Sequence, residues 1–224
     1  MPREGLMPDF AAARLNMVES QLRPSNITDP ALLSAMGELP REDFVPEQLR
    51  GIAYVDEDIA LGNGRFLMEP VVLARLLQLA EVRRTDKGLV IGCGTGYGTA
   101  VLARLCHHVV GLEADHAVAE ATARRLRDLG IRNAWIVEGT LTAGYAARAP
   151  YDVILLSGAV EMVPGAITDQ LAEGGRLVAV VRPAGAVGRI TVMRRESGIL
   201  GSRAPYDAAT HALPGFAVPR EFVF

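Results

Sequence analysis

The spacing of apolar and polar positions changes rhythm along the chain and divides it. From Phe10 to Arg23 apolar residues recur at helical spacing, with Leu15, Val18 and Leu22 on one face, and Pro24 ends the run. Asp29-Pro30 reads as an N-cap followed by proline at the first helical position, predicting a helix through Met36 to about Leu39. Pro40 and Pro46 break the chain into short pieces. Residues 51–68 read as loop and short strand around the turn signal Gly62-Asn63-Gly64. Pro70 opens a further helix through Val72, Leu73, Leu76, Leu77 and Ala80.

From Gly88 onward short apolar strands alternate with helices. Leu89-Val90-Ile91 runs into a glycine-rich loop, and a helix follows at about Tyr97 to Cys106. Val109 to Glu113 is a second strand, and Asp115 can cap the helix that runs to Leu129 ahead of Gly130. Ala134 to Val137, Tyr151 to Leu156 and Arg176 to Val181 are further strands, with a helix expected over Pro164 to Leu171. This alternation implies a mainly parallel, doubly wound α/β sheet. Arg189 to Arg194 and Ile199 to Arg203, separated by Glu196-Ser197-Gly198, predict a hairpin added as an antiparallel edge. Two parts are expected within one compact unit. Residues 1–84 form an N-terminal helical segment with a loop on the acceptor side, and residues 85–224 form a Rossmann-like nucleotide-binding part.

Composition excludes more than it adds. Half of the 224 residues are hydrophobic and 22% are charged, as in globular rather than disordered chains. A net charge of −3 offers no electrostatic ground for nucleic acid or an anionic membrane as partner. Arginines at 124, 125, 127, 194 and 195 are interspersed with acids, as on a solvated face. No window reaches about 18 consecutive apolar residues, and MPREGLMPDF lacks the apolar run of a signal peptide. Two cysteines in a chain of this size suit a reducing compartment, so a cytoplasmic location is expected. The four histidines have no helical metal spacing and the cysteines lie apart, so no metal site is expected.

The chemistry gathers at Gly92-Cys93-Gly94-Thr95-Gly96-Tyr97-Gly98. Glycines let the backbone turn sharply and approach a ligand, and the next helix offers unpaired N–H groups. Glu113 stands about twenty residues on, at the end of the second strand, where an acid commonly takes a ribose diol. Gly92, Cys93, Gly94, Gly96, Tyr97, Glu113 and the adjoining Ala114 are therefore candidates for holding an adenosine-containing ligand. A dinucleotide fingerprint needs glycine where Tyr97 stands, so S-adenosylmethionine is favoured over NAD. Asp56, Glu57 and Asp58 read as a solvated turn. Arg65 is expected to pair with that acid cluster or with the carboxylate of a ligand.

With these pieces in view the chain resembles the protein-L-isoaspartate O-methyltransferase family over most of its length. The matching stretches include Met17-Val18 through Arg23, Pro40-Arg41-Glu42 with Phe44-Val45-Pro46, and Ala53-Tyr54 with Asp56. They continue with Gly92 to Tyr97, Pro150 to Ile154, and Gln170-Leu171 before Gly174-Gly175-Arg176. The resemblance implies the class I methyltransferase fold, S-adenosylmethionine as cofactor with S-adenosylhomocysteine as product, and a protein or peptide carboxylate as acceptor. It places Thr140 and Leu141 beside the adenine and Tyr54, Arg65, Phe66 and Met68 on the acceptor side.

Three positions depart from the family pattern. Val90 stands where an acid precedes the loop, Thr140 where an aspartate faces the adenine, and Phe66-Leu67-Met68 where the family has Thr-Ile-Ser. A hydrogen bond to a charged group is worth about 1.5–3 kcal/mol, so two uncompensated acids correspond to a loss of about 10²- to 10⁴-fold in cofactor affinity. A carboxylate acceptor is ionised at neutral pH and needs no general base. The expectation is an O-methyltransferase whose acceptor differs from a plain isoaspartyl peptide or is methylated slowly. The alternative is a degenerate relative acting as a non-catalytic binding or scaffold protein. The N-terminal helices could cap the site or mediate oligomerisation.

Overall fold

The computed structural model describes residues 9–218. Asp9 caps the first helix, α1 (Phe10–Asn16), its carboxylate accepting the Ala12 N–H at 3.0 Å. Beyond Asn16 the turns widen to i→i+5 bonding over Met17–Leu22, and the Arg23 N–H reaches the Val18 carbonyl at 3.1 Å. The wider turn rotates the faces. Met17, Val18 and Leu22 are buried while Leu15 is 61% exposed, so Leu15 does not share the expected face with Val18 and Leu22.

Helix α2 (Pro30–Glu38) begins as read, with the Asp29 carboxylate accepting from Ala31 and Leu32. A separate two-stranded ribbon follows, β1 (Ile59–Gly62) and β2 (Arg65–Leu67), and then α3 (Pro70–Leu79). The ribbon's turn has positive φ at Gly62, Asn63 and Gly64, and Arg65 is the first residue after it.

The main sheet has seven strands in the order β5-β4-β3-β6-β7-β8-β9. It is built from β3 (Lys87–Ile91), α4 (Tyr97–Leu105), β4 (His108–Glu113), α5 (His116–Asp128), β5 (Ala134–Glu138), β6 (Tyr151–Val160), α6 (Gly165–Thr168), β7 (Leu171–Val181), β8 (Arg189–Glu196) and β9 (Ile199–Asp207). Strands β3 to β7 pair in parallel, and β8 and β9 add antiparallel. Chain order reverses between β3 and β6, which opens a crevice at the carboxyl ends of the strands. The helix expected over Pro164 to Leu171 shrinks to the four residues of α6, because Leu171 already pairs with Tyr151 as the start of β7. The last hairpin turns at Ser197 and Gly198, both at positive φ, the geometry that matches strand twist.

Strand β3 divides its side chains between two cores. Val90 packs with Met17, Phe44, Leu73 and Tyr97 on the face covered by the N-terminal helices. Leu89 and Ile91 pack with Leu112, Ile154, Ile167 and Leu213 on the other. An acid at Val90 would be buried among these apolar groups at a large desolvation cost. After β9 the chain returns across the strand ends, where the Ala159 N–H donates to the His211 carbonyl and the Leu213 N–H to the Ala159 carbonyl.

Candidate cofactor and acceptor site

Strand β3 ends in a loop whose Gly92, Gly94 and Gly96 all have positive φ. The loop is fastened from two sides. Gly92 and Cys93 donate to the Leu112 carbonyl, while Thr122 Oγ1 and Arg125 Nη1 of α5 donate to the carbonyls of Gly94 and Thr95 at 2.7 and 3.1 Å. A Cβ on Gly96 would lie 2.6 Å from Thr122 Cγ2, so Gly96 serves close packing of α5. Neither Thr122 nor Arg125 was legible as a loop support, since both lie on what reads as an ordinary amphipathic helix.

Above this loop, at the ends of β3, β4 and β5, opens a cavity of ≈ 620 Å³. Gly94, Thr95, Glu113, Ala114, Asp115, Glu138 and the run from Gly139 to Thr142 line it, with Arg65 and the β1–β2 turn on one side and Pro214-Gly215 on the other. Thr140 precedes a short 3₁₀ turn without using its side chain to cap it, so its hydroxyl is not consumed by its own backbone. The predicted Gly94, Glu113, Ala114, Thr140 and Leu141 thus converge on one space.

Cys93, Gly96 and Tyr97 do not line it. Cys93 and Tyr97 point away from the cavity into the core under the N-terminal helices. Burial pushes the Cys93 thiol up, with the Glu113 charge adding to it, so it stays protonated. Tyr97 lies beneath the Arg41 guanidinium at 4.7 Å and edge-on to Phe44. Gly92 is covered rather than open, since a Cβ there would lie 2.4 Å from Leu213 Cδ1 and 3.2 Å from Arg65 Nη2.

Arg65 does not pair with the acid cluster. Its Nη1 donates to Glu113 Oε1 at 2.7 Å and its Nη2 to the Gly92 carbonyl at 2.8 Å. Glu113 also accepts from the Ala114 N–H on Oε1 and from the Gly94 N–H on Oε2, both at 2.8 Å. Its Oε2 keeps capacity for another donor, yet the side chain is only 1% exposed beneath Arg65.

On the acceptor side the expectations divide. Phe66 stacks flat on His211, ring centroids 3.5 Å apart. The pair closes a space of only ≈ 10 Å³, which Ser157, Gly158 and Leu213 also line. Tyr54 and Met68 lie elsewhere. The Tyr54 hydroxyl donates to the Glu42 carboxylate and accepts from Arg14 Nε and the Arg41 N–H, tying the N-terminal segment together. Met68 is buried, and its carbonyl accepts from Arg41 Nη2 at 2.7 Å. Asp58 is no solvated turn residue. Its buried carboxylate accepts from the Glu69 N–H, Thr210 Oγ1, the His211 N–H and the His211 ring, holding the returning segment over the site.

A sheet in this order with an antiparallel final hairpin, a glycine loop after β3 and an acid closing β4 defines a Rossmann-like methyltransferase. The family described as Protein-L-isoaspartate(D-aspartate) O-methyltransferase (PCMT) matches residues 13–204. A protein-L-isoaspartate O-methyltransferase 2 of Anaeromyxobacter sp. is 38% identical over 201 residues, covering 90% of this chain and 82% of its own. A solved protein-L-isoaspartate O-methyltransferase superposes with a TM-score of 0.78 at 24% identity, over 90% of this chain and 66% of that one. A Plasmodium falciparum structure described as a putative protein-L-isoaspartate O-methyltransferase in complex with S-adenosyl-L-homocysteine gives 0.76 at 18% identity, over 92% and 99%. The chain belongs to the protein-L-isoaspartate O-methyltransferase family and is an S-adenosylmethionine-dependent methyltransferase.

The residues present fit that cofactor at its nucleoside end. The cavity there is open and offers the Thr140 hydroxyl, the Gly139 turn and Glu138. Glu138 is paired at the rim with His116, whose pKa it raises by accepting the ring's hydrogen bond, helped by Glu120. At the loop end, the Gly92 carbonyl and the Glu113 carboxylate, the two acceptors a bound cofactor would use, already hold Arg65.

Proposed function

We propose that this enzyme transfers the methyl group of S-adenosylmethionine to a side-chain or α-carboxylate of a protein or peptide, with isoaspartyl and D-aspartyl peptides as the acceptors. The observation that carries the reading is the single cavity on which Gly94, Glu113, Thr140 and Leu141 converge at the strand ends. When bound, the cofactor supplies a methyl group made electrophilic by a sulfonium. The chain's own residues have three tasks. Glu113 and the Gly139–Thr142 run orient the nucleoside end, Leu213 and the Phe66–His211 stack exclude water from the loop end, and the acceptor-side groups hold a carboxylate in line. No proton need be removed from a carboxylate at neutral pH, which suits a site whose Phe66 carries no hydroxyl.

The test is incubation with an isoaspartyl peptide and methyl-labelled S-adenosylmethionine. A label on the peptide that base releases as methanol is the expected result, because a carboxyl methyl ester hydrolyses. A base-stable label, or none, would overturn the reading. Cys93 and Cys106 are free and buried, which supports a reducing, cytoplasmic setting. Among the described residues no helix is long and apolar enough to cross a membrane.

A further inference from the structure

Arg65 is the residue that lines both the ≈ 620 Å³ cavity and the ≈ 10 Å³ space beside Phe66, Ser157 and His211. It stands on the two-stranded ribbon, directly after a turn of three positive-φ residues, and reaches inward from there. In the structure its head rests wholly on the cofactor side, on Gly92 and Glu113. The Gly92 carbonyl is an acceptor for the ammonium of S-adenosylmethionine and Glu113 an acceptor for the hydroxyls of its nucleoside end, so a guanidinium on both competes with the cofactor for one place.

The acceptor side needs a cation. Phe66 cannot donate a hydrogen bond to a carboxylate, and Met68 is buried away from the space. Of the polar side chains there, Thr210 and His211 are committed to Asp58 at 2.7 and 2.9 Å, and Ser157 is neutral. Arg65 supplies the missing charge once its head leaves Glu113.

We propose that Arg65 serves both substrates in turn: it occupies the cofactor's acceptors on Gly92 and Glu113 in the free protein, and when the cofactor displaces it, it receives the acceptor carboxylate. This rests on the carboxyl-methyltransferase reading and adds an order to it, cofactor before acceptor. A guanidinium held by two hydrogen bonds at the cofactor place taxes cofactor binding, while the displaced fork matches a carboxylate.

The test is calorimetry with wild type and Arg65→Gln. S-adenosylhomocysteine is titrated first, and an isoaspartyl peptide is then titrated into protein saturated with it. The expected result is opposed signs: R65Q binds S-adenosylhomocysteine about tenfold tighter and the peptide at least about tenfold more weakly. A merely structural ion pair would weaken both or neither. Equal or weaker binding of S-adenosylhomocysteine to R65Q overturns the proposal, as does unchanged peptide affinity. Should R65Q not fold, Arg65→Lys gives the same signs at smaller size, because one ammonium replaces a two-pronged fork. If both ligands bind with opposed signs but no methyl ester forms, the carboxyl-methylation reading fails and the exchange stands.

Discussion

Two arginine–carboxylate pairs lie inside this molecule and are built to different ends. At the bottom of the sheet Arg176 meets Asp86 at 2.6 Å, with both side chains nearly inaccessible. The same guanidinium donates to the carbonyls of Ala80, Glu81 and Asp152, so β7, the end of α3 and the start of β3 share one clamp. At the top Arg65 meets Glu113 at 2.7 Å, but it has one other acceptor and borders the ≈ 620 Å³ cavity. Distance does not separate the two pairs. The number of acceptors around each guanidinium does, and so does what lies beyond it. A saturated arginine in a dry interior fixes structure, whereas a half-saturated one beside an open cavity can be moved by a ligand.

The comparison breaks most sharply at Arg176. Replacing it with Met leaves the buried Asp86 carboxylate with only the Arg83 N–H and takes the arginine from three carbonyls. We expect a loss of about 3–5 kcal/mol in urea denaturation, with unchanged affinity for S-adenosylhomocysteine while folded. Arg65→Gln leaves Glu113 with its backbone donors, so it costs only about 1–2 kcal/mol in the same measurement. Equal losses at the two sites would show that the upper pair is a clamp as well.

Between these falls Asp58, an acid that holds its segment without an arginine. Asp58→Ala removes the acceptor of three side-chain and backbone donors from Thr210 and His211, and of the Glu69 N–H. A loss of about 2–3 kcal/mol is expected. The His211 ring and Leu213 should lose their fixed place over the loop, which hydrogen exchange at the Leu213 N–H would report as faster opening. Unchanged exchange there would mean that the bridge to Ala159 alone holds the segment.

What could be read from the sequence follows from how local its cause is. The Asp29 and Asp115 caps, the helices opened by Pro30 and Pro70, the strand alternation and the Ser197-Gly198 turn depend on neighbours within a few residues, and each formed as expected. The widened turn after Asn16 was not legible, because tertiary burial of Met17 and Val18 overrides the helical stripe. Within the glycine loop the motif located the cavity but not the direction of each side chain. Cys93 and Tyr97 pack instead into the core under the N-terminal helices. Arg65 with Glu113 and Asp58 with His211 are 48 and 153 positions apart, and nothing local links either pair. The three departures from the family pattern were visible at once. That Val90 is a packing position was visible only once β3 had two faces to fill.

Glu69 carries the comparison to its weakest case, an acid with no arginine in ion-pair contact among the described residues. Burial, with the charges of Asp56 and Asp58 added and only partly opposed by Arg75, raises its pKa from 4.5 to about 7. The folded protein therefore holds a proton on Glu69 in a window where the unfolded chain has released it. Stability from this group is present at acid pH and declines as pH rises from 4.5 to about 7. Glu69→Gln fixes the neutral form. Its melting temperature should match that of wild type near about pH 4 and exceed it by a few degrees near about pH 8, a modest gain because the side chain is partly solvated. A gain that is the same at both pH values would mean that the substitution acts through packing rather than charge. A loss at high pH would mean that Glu69 has found a cation, and that Arg75 or Arg182 turns toward it in solution as Arg65 turns toward Glu113.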